Sequence, residues 1–173
     1  MKTPAQARKG LTDMADALRS LQTGLTTVIA EHHQDMRDTV SGLDADALNW
    51  RPGPETNSLA VLVIHILGAA HSCVTTALGD PIERDRDAEF QATANGPDEL
   101  IAEIDRIDGL MPGLIQRLTA EDLDAERTRP NDRLGRTKPG IWWIMHAVEH
   151  NREHIGQMFL TRQMYEQQML GNR

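Results

Sequence analysis

Residues 139–169 read PGIWWIMHAVEHNREHIGQMFLTRQMYEQQM. Within this stretch, one set of positions recurs at intervals of three and four residues, which places the side chains on one face of an α-helix. The set is Trp143, Ala147, His150, His154, Met158, Thr161 and Tyr165. A helix with such a face packs it against other helices. The stretch therefore predicts a long helix whose buried side carries two histidines.

Three further stretches show helical periodicity, and polar or Gly- and Pro-containing segments separate them. The first runs from Leu11 to near Gly42, the second from Ser58 to Leu78, and the third from Pro97 to Leu118. Pro112 lies inside the third and predicts a bend or break there. Aromatic residues make up only 3% of the chain. We therefore expect an all-α four-helix bundle, with residues 1–173 forming a single domain.

Net charge, cysteine content and hydrophobic segments indicate which partners and which cellular location to expect. The formal net charge is −8, which disfavours nucleic acid because its binding requires a basic face. Cys73 is the one cysteine, the N-terminus MKTPAQARKG lacks a secretory apolar stretch, and no segment has the roughly 18 consecutive apolar residues of a membrane span. We expect a cytoplasmic protein with a small-molecule substrate and no membrane partner.

Three histidines in the run HAVEHNREH lie four residues apart, at His146, His150 and His154. Neighbouring members stack one turn apart on one helix face, so either adjacent pair can hold a metal ion. Neutral imidazole suits zinc, nickel or copper. Because one helix supplies only two ligands in this way, the third ligand has to come from elsewhere in the bundle.

His65 interrupts the apolar run VLVIHILG in the middle of the second helix. A polar side chain buried there without a partner would lose its hydration, so His65 is the candidate third ligand. For any single histidine, hydrogen bonding within the core is the more common explanation. Three matching positions favour a metal site instead.

The remaining candidates lie around this set. His146 is expected to contact the metal-ligating histidines or to line a cavity beside the metal. His32, on the apolar stripe of the first helix, is a further candidate for lining that cavity. Glu153 is also a candidate near the ligands, although its direction is not predicted. His33 falls just off its helix's stripe and is expected in solvent. His71 cannot share the face of His65, and no catalytic residue is identified.

Three segments carry a resemblance to a known family: GLDADALNWRPGPETNSLAVLVIHI, LTAEDLDAE and HAVEHNREHIGQMFLTRQM. They resemble the DinB family, including its thiol-transferase-like members, across nearly the whole chain. The resemblance implies an up-down-down-up bundle, commonly a homodimer, with His65, His150 and His154 as metal ligands. The chain has Ile155 where the family often has arginine before Gly156 and Gln157.

The resemblance also implies an activity. Three ligands leave one coordination position open, and the thiol-transferase-like members suggest metal-dependent transfer of a low-molecular-weight thiol to an electrophilic small molecule. Metal-dependent hydrolysis is a second possibility. A non-catalytic stress-response protein that binds a metal or small ligand is the third, and the sequence does not choose between them. Zinc and nickel both accept three imidazoles.

Overall fold

The computed structural model describes residues 4–171, except for the side chains of residues 4, 5, 7–9 and 11. Within that range the chain is mostly helical, with one short antiparallel ribbon. The elements in chain order are α1 (Pro4–Val40), α2 (Ala45–Asn49), α3 (Leu59–Ala77), α4 (Arg86–Glu89), α5 (Pro97–Arg117), α6 (Ala120–Asp124), β1 (Glu126–Thr128), β2 (Thr137–Pro139) and α7 (Gly140–Gly171).

Helix α3 begins and ends where the sequence predicts. The Ser58 hydroxyl accepts a hydrogen bond from the Val61 amide, which satisfies one of the free donors of the first turn. At the other end Gly79 has a φ of 74°, and the amides of Gly79 and Asp80 return to the carbonyls of Thr76 and Thr75. This is a Schellman ending, for which glycine is the favoured residue.

Helix α5 runs without interruption through Pro112. Of the bend or break that the sequence predicted there, the break is therefore wrong. A proline inside a helix costs about 3 kcal/mol through its lost hydrogen bond and its clash with the preceding turn. Burial of Ile104, Ile107, Met111 and Ile115 along the same helix opposes that cost. Tertiary packing therefore maintains the helix across a residue that would end it in isolation.

Contacts between the long helices define the direction of each one. Gln22 on α1 bonds the carbonyl of Leu118 after α5, while Arg37 bonds Asp105, so these two helices are antiparallel. Asp35 bonds Arg152, and the Thr39 carbonyl accepts from Arg162, so α1 and α7 are parallel.

Helix α3 runs opposite to α7. Ala77, at the end of α3, lies beside Gly140 at the start of α7, and His65 meets His150 further along both helices. Helices α3 and α5 are therefore both antiparallel to the parallel pair α1 and α7. The topology is up-down-down-up, as the family resemblance implied.

Helix α3 is the central element of the core. Sixteen of its residues are buried, and its neighbours are α5 and α7. By length and composition it is apolar enough to cross a membrane, but 83% of its most apolar window is buried inside the protein. It therefore has the character of a core helix of the bundle.

The two long connections have more structure than their polar sequences predicted. Residues 79–96 contain α4, and residues 118–139 contain α6 and the β1–β2 hairpin, in which Glu126 pairs with Pro139. The indole of Trp143 donates to the Arg127 carbonyl at 3.1 Å, which fastens the hairpin to α7. Both connections lie beside the histidines of α3 and α7.

Candidate metal centre

Three histidines from two antiparallel helices meet inside the bundle. His65 on α3 is buried, and His150 and His154 on α7 are partly buried. One ring nitrogen from each lies within 4.8 Å of the others, and the rings of His150 and His154 have centroids 4.4 Å apart. These are the three histidines that the sequence grouped, and we call them the histidine triad.

The spacing of the triad fits one divalent ion. Nε2 of His65 lies 3.2 Å from Nε2 of His150. Two nitrogens bound to zinc at about 2.0–2.1 Å with tetrahedral angles lie about 3.3 Å apart. An ion placed between these atoms therefore finds two ligands already at coordination spacing, and the third ring lies beside them on the next turn of α7.

The opposite nitrogen of His65 is held by a carboxylate. Glu89, which ends α4, accepts a hydrogen bond from Nδ1 of His65 at 3.0 Å, and Arg84 donates to both Glu89 oxygens at 2.6 Å. A proton on Nδ1 leaves the Nε2 lone pair free to bind a metal. Metal-ligating histidines in proteins are usually oriented by such a carboxylate.

The two histidines of α7 are oriented differently. Nδ1 of His154 donates to the Gln157 side-chain carbonyl at 2.8 Å, which in the neutral ring leaves the Nε2 lone pair for a metal. Nδ1 of His150 is buried and has no hydrogen-bond partner among the described residues. An unsatisfied polar atom of this kind is expensive in a folded protein.

Burial keeps His65 and His150 in the neutral form that a metal requires. Desolvation, together with the neighbouring His154 and His65, lowers the pKa of His150 to about 2. Desolvation also lowers the pKa of His65. Burial alone would raise the pKa of Glu89, but hydrogen bonds from His65 and Arg84 outweigh that effect and lower it. Neutral imidazoles beside a charged carboxylate are the combination that favours a cation.

A cavity of about 170 Å³ opens on one side of the triad, and we call it the arginine cavity. Its walls include His65, His146 and His150, together with four arginines from the connections: Arg84, Arg86, Arg129 and Arg136. A second cavity of about 420 Å³ lies on the other side and contains His154 in its wall. The triad is therefore reachable by small molecules from two directions.

Residues outside the triad fall into distinct positions. His146 lines the arginine cavity, with its ring stacked 4.8 Å from that of Trp142. Cys73 is buried in the same wall, and burial raises the pKa of its thiol. The side chain of Glu153 is exposed, and the carboxylate that contacts the triad is that of Glu89.

Two histidines on α1 are buried away from the arginine cavity. His32 is buried, as its position on the apolar stripe predicted. His33 was expected in solvent, and that expectation is wrong: its side chain is fully buried and its Nδ1 lies 2.7 Å from Asp108. Helix α1 packs against both α5 and α7, so its buried surface is wider than one stripe.

Sequence reasoning missed Arg84, Glu89, Arg129 and Arg136. Each lies in a connection that has no helical apolar stripe, so periodicity gives no signal for it. The one available signal was the charge density of the segment IERDRDAE, which contains both Arg84 and Glu89. Such runs are more often solvated surface than parts of a site.

The fold and the triad together define a class of protein, a four-helix bundle with a histidine cluster that can hold a metal ion. A sequence profile of the DinB superfamily matches residues 28–158. The chain therefore belongs to the DinB superfamily. No curated protein sequence is significantly similar to it.

Solved structures share this fold. A DinB-like protein from Bacillus cereus ATCC 10987 is 16% identical with a TM-score of 0.65, covering 83% of this chain and 92% of that one. A DinB-like protein from Bacillus subtilis is 22% identical with a TM-score of 0.62, covering 82% and 91%. YfiT from Bacillus subtilis is 12% identical with a TM-score of 0.67, covering 84% and 87%, and is described as a probable metal-dependent hydrolase with an unusual four-helix bundle topology.

Proposed function

We propose that this protein binds one divalent metal ion, zinc or nickel, through His65, His150 and His154. The observation that carries the proposal is the 3.2 Å spacing between the Nε2 atoms of His65 and His150. In a metal-free protein, two nitrogens at this distance satisfy each other only through one shared proton. A cation gives the nitrogens of all three rings a common partner.

We further propose that the bound metal serves a transferase, which moves a low-molecular-weight thiol onto an electrophilic small molecule. A metal held by the three histidines would supply Lewis acidity, which would favour the thiolate form of a thiol sulfur. In the reaction a carbon–sulfur bond forms, the thiol proton passes to solvent, and the electrophile either releases a leaving group or takes up a proton. Glu89 accepts from Nδ1 of His65 and favours its ligand tautomer, and Arg84 holds the Glu89 carboxylate in place.

Metal-dependent hydrolysis is a second candidate, and the description of YfiT favours it. Hydrolysis usually uses a carboxylate or histidine that activates water. Glu89 already accepts hydrogen bonds from His65 and Arg84, and Glu149 and Glu153 are exposed. A bound metal would favour ionisation of a thiol and of a water alike, so we place transfer before hydrolysis on the resemblance to the thiol-transferase-like members. A non-catalytic metal or small-ligand binder is the third candidate.

Metal analysis tests the binding proposal. Purified protein analysed by plasma mass spectrometry is expected to contain about one equivalent of zinc or nickel per chain. The His150→Ala variant is expected to lose most of this metal, because only the His65 and His154 ligands remain. His71→Ala is the matched control, since His71 lies outside the triad. Equal metal content in the two variants would refute the ligand set.

A reaction panel tests the activity. Metal-loaded protein is incubated with cellular thiols and electrophiles, and mass spectrometry follows the thioether adducts. Adducts that form with wild-type protein and not with His150→Ala support transfer. Cleavage products without thiol incorporation support hydrolysis, and no turnover of either kind supports the binder.

Three further properties belong to the same proposal: a single domain, a cytoplasmic location and a homodimeric state. A buried free Cys73 suits a reducing compartment. The second half of α7 exposes Phe159, Leu160 and Met164, and such apolar groups suit a contact between copies. Light scattering on the purified protein measures the oligomeric state, and a monomer at micromolar concentration contradicts the homodimer.

A further inference from the structure

The arginine cavity concentrates positive charge in an acidic protein. Arg84 and Arg86 reach it from the connection before α5, and Arg129 and Arg136 reach it from the hairpin. The whole chain has a formal net charge of −8. Four guanidinium groups from two separate connections therefore meet at one cavity, against the overall charge of the molecule.

Carboxylates of the protein neutralise only part of this charge. Glu89 pairs with Arg84, and Asp132 pairs with both Arg129 and Arg136. Arg86 makes no ion pair recorded among residues 4–171, and its guanidinium lies 4.6 Å from the centre of the Phe90 ring. Two carboxylates thus pair with three of the four guanidinium groups in the cavity wall, while Glu83, Asp85 and Asp87 border the neighbouring cavity that Arg84 and Arg86 share.

The hairpin arginines are held in place before any ligand arrives. The Asp132 carboxylate is almost fully buried and accepts from Nη2 of Arg136 at 2.6 Å and from Nη2 of Arg129 at 2.9 Å. The guanidinium of Arg129 lies 5.0 Å from the centre of the Trp143 ring, and that of Arg136 lies 5.3 Å from the centre of the Trp142 ring. Arginines fixed in this way lose little entropy when they bind an anion.

The cavity has room for a charged group and an exit to solvent. Its volume of about 170 Å³ is below the roughly 300–1,000 Å³ of a site for a drug-sized ligand, but it accommodates a carboxylate or phosphate with a few more atoms. An adjoining cavity of about 300 Å³ shares Arg84, Arg86, Arg129 and Arg136. A longer molecule can therefore enter past the hairpin with its charged end beside the triad.

We propose that the arginine cavity binds the carboxylate or phosphate group of an anionic small molecule and thereby sets the substrate class of the site. Guanidinium groups bind both oxyanions through paired N–H donors. His65 and His150 share the cavity wall with the arginines, so an anion held there has its uncharged part next to the triad. The link to a substrate rests on the function proposed above, whereas anion binding itself does not require the metal.

Tryptophan fluorescence of metal-free protein tests this proposal directly, because Trp142 and Trp143 lie beneath Arg136 and Arg129. The chain has three tryptophans, and Trp50→Phe removes the one that packs on Tyr165 away from the cavity. In this background, succinate and inorganic phosphate are titrated separately in low-chloride buffer. A saturable change with either anion is expected, with none from neutral succinamide and none from sodium chloride at equal ionic strength.

Two cavity variants and one surface variant locate the anion. Arg86→Gln, which breaks no ion pair, and Arg136→Gln are each expected to weaken binding about 10-fold or more. Arg106→Gln removes one positive charge from an exposed pair with Glu103 on α5 and is expected to bind as the parent does. Circular dichroism checks that each variant is folded, and Arg86→Gln keeps the test informative should Arg136→Gln unfold.

The outcomes separate this proposal from the function above. Unchanged affinity in Arg86→Gln, or a parent response that sodium chloride reproduces, overturns the anion site. If that occurs in protein that still takes up one equivalent of metal, the metal function stands and this inference fails. Anion binding that depends on Arg86 in a protein without metal affinity supports the anion site and contradicts the metal function.

Discussion

Glu89 Oε2 lies 3.0 Å from Nδ1 of His65, although the two residues are 24 positions apart in the chain. His65 belongs to the core helix α3, and Glu89 belongs to a four-residue helix in a polar connection. The contact joins a predicted ligand to a residue that sequence patterns did not mark. It makes the connection between α3 and α5 part of the candidate site.

Removing the Glu89 carboxylate is expected to weaken metal binding. Glu89→Gln takes away the charge that holds the proton on Nδ1 of His65, and partners of this kind are worth about 10- to 100-fold in metal affinity. Competition with a chromophoric chelator measures the change. Glu103→Gln, which also breaks a pair between a glutamate and an arginine, is the control and should keep wild-type affinity. Equal affinities in the two variants would remove Glu89 from the site.

Gly68 on α3 tests the same contact by adding one methyl group. A Cβ at this position would overlap Oε1 of Glu89 and lie close to Nε of Arg84. Gly68→Ala is therefore expected to displace Glu89 from His65 and to reduce metal affinity. In α5, Gly109→Ala meets nothing within 4 Å and should stabilise the protein by about 0.5–1 kcal/mol, through the better helix propensity of alanine.

Chelator competition and urea unfolding on both glycine variants separate the two effects. The expected pattern is weaker metal binding in Gly68→Ala and greater stability in Gly109→Ala. Wild-type metal affinity in Gly68→Ala would show that the Glu89 side chain is not held where the structure has it.

The buried cluster of His33, Arg37 and Asp108 is expected to stabilise the junction of α1 and α5. Asp108→Ala leaves Nδ1 of the fully buried His33 and one Arg37 amino group without their acceptor, at a cost of about 1–3 kcal/mol. Asp105→Ala removes only a more exposed partner of Arg37 and should cost less than about 1 kcal/mol. Urea unfolding compares the two, and metal content should be unchanged in both. A larger loss of unfolding free energy in Asp105→Ala than in Asp108→Ala would contradict the prediction.

Acid is expected to destabilise the metal-free protein. Desolvation lowers the pKa values of His33 and His65 in the folded state, and lowers that of His150 to about 2. Histidine in an unfolded chain titrates near ~6.5. Below that pH the unfolded chain binds protons that the folded chain does not, so the free energy of unfolding falls by up to about 1.4 kcal/mol per pH unit for each such histidine.

Urea unfolding at several values between about pH 7.5 and pH 5.5 measures this slope. His150→Gln is the informative variant, because it removes one of the histidines that stay neutral in the folded state. Its free energy of unfolding should depend less steeply on pH than that of the wild type. Identical slopes in the two proteins would mean that His150 is already protonated when folded.

Local sequence features were sufficient for the long helices. The polar or Gly- and Pro-containing segments on either side set the limits of α3, and the intervals of three and four residues between Trp143 and Tyr165 predicted the buried face of α7. These features act over a few residues, so they can be recognised without knowledge of the fold. Pro112 shows the limit of this reasoning, because the cost of a proline is local whereas the packing that offsets it is not.

The three histidines of the triad could be named before the structure from local signals together with the family resemblance, which selected His150 and His154 over His146 and His150. His150 and His154 recur at helical spacing, and His65 is a polar residue within an apolar run. Their number and chemistry were thus accessible from the sequence. Their convergence at 3.2 Å depends on the antiparallel register of α3 and α7, which no local pattern specifies.

The amino-acid sequence by itself determined four amphipathic helices and the burial of His65 and His32 on their apolar stripes, because periodicity is a property of neighbouring residues. Only the tertiary structure decided that Glu89 orients His65, that four arginines enclose a cavity, and that His33 is buried against Asp108. Those contacts join residues from separate connections and helices. Their geometry is set by how the bundle packs, which is the sum of many weak contacts across the whole chain.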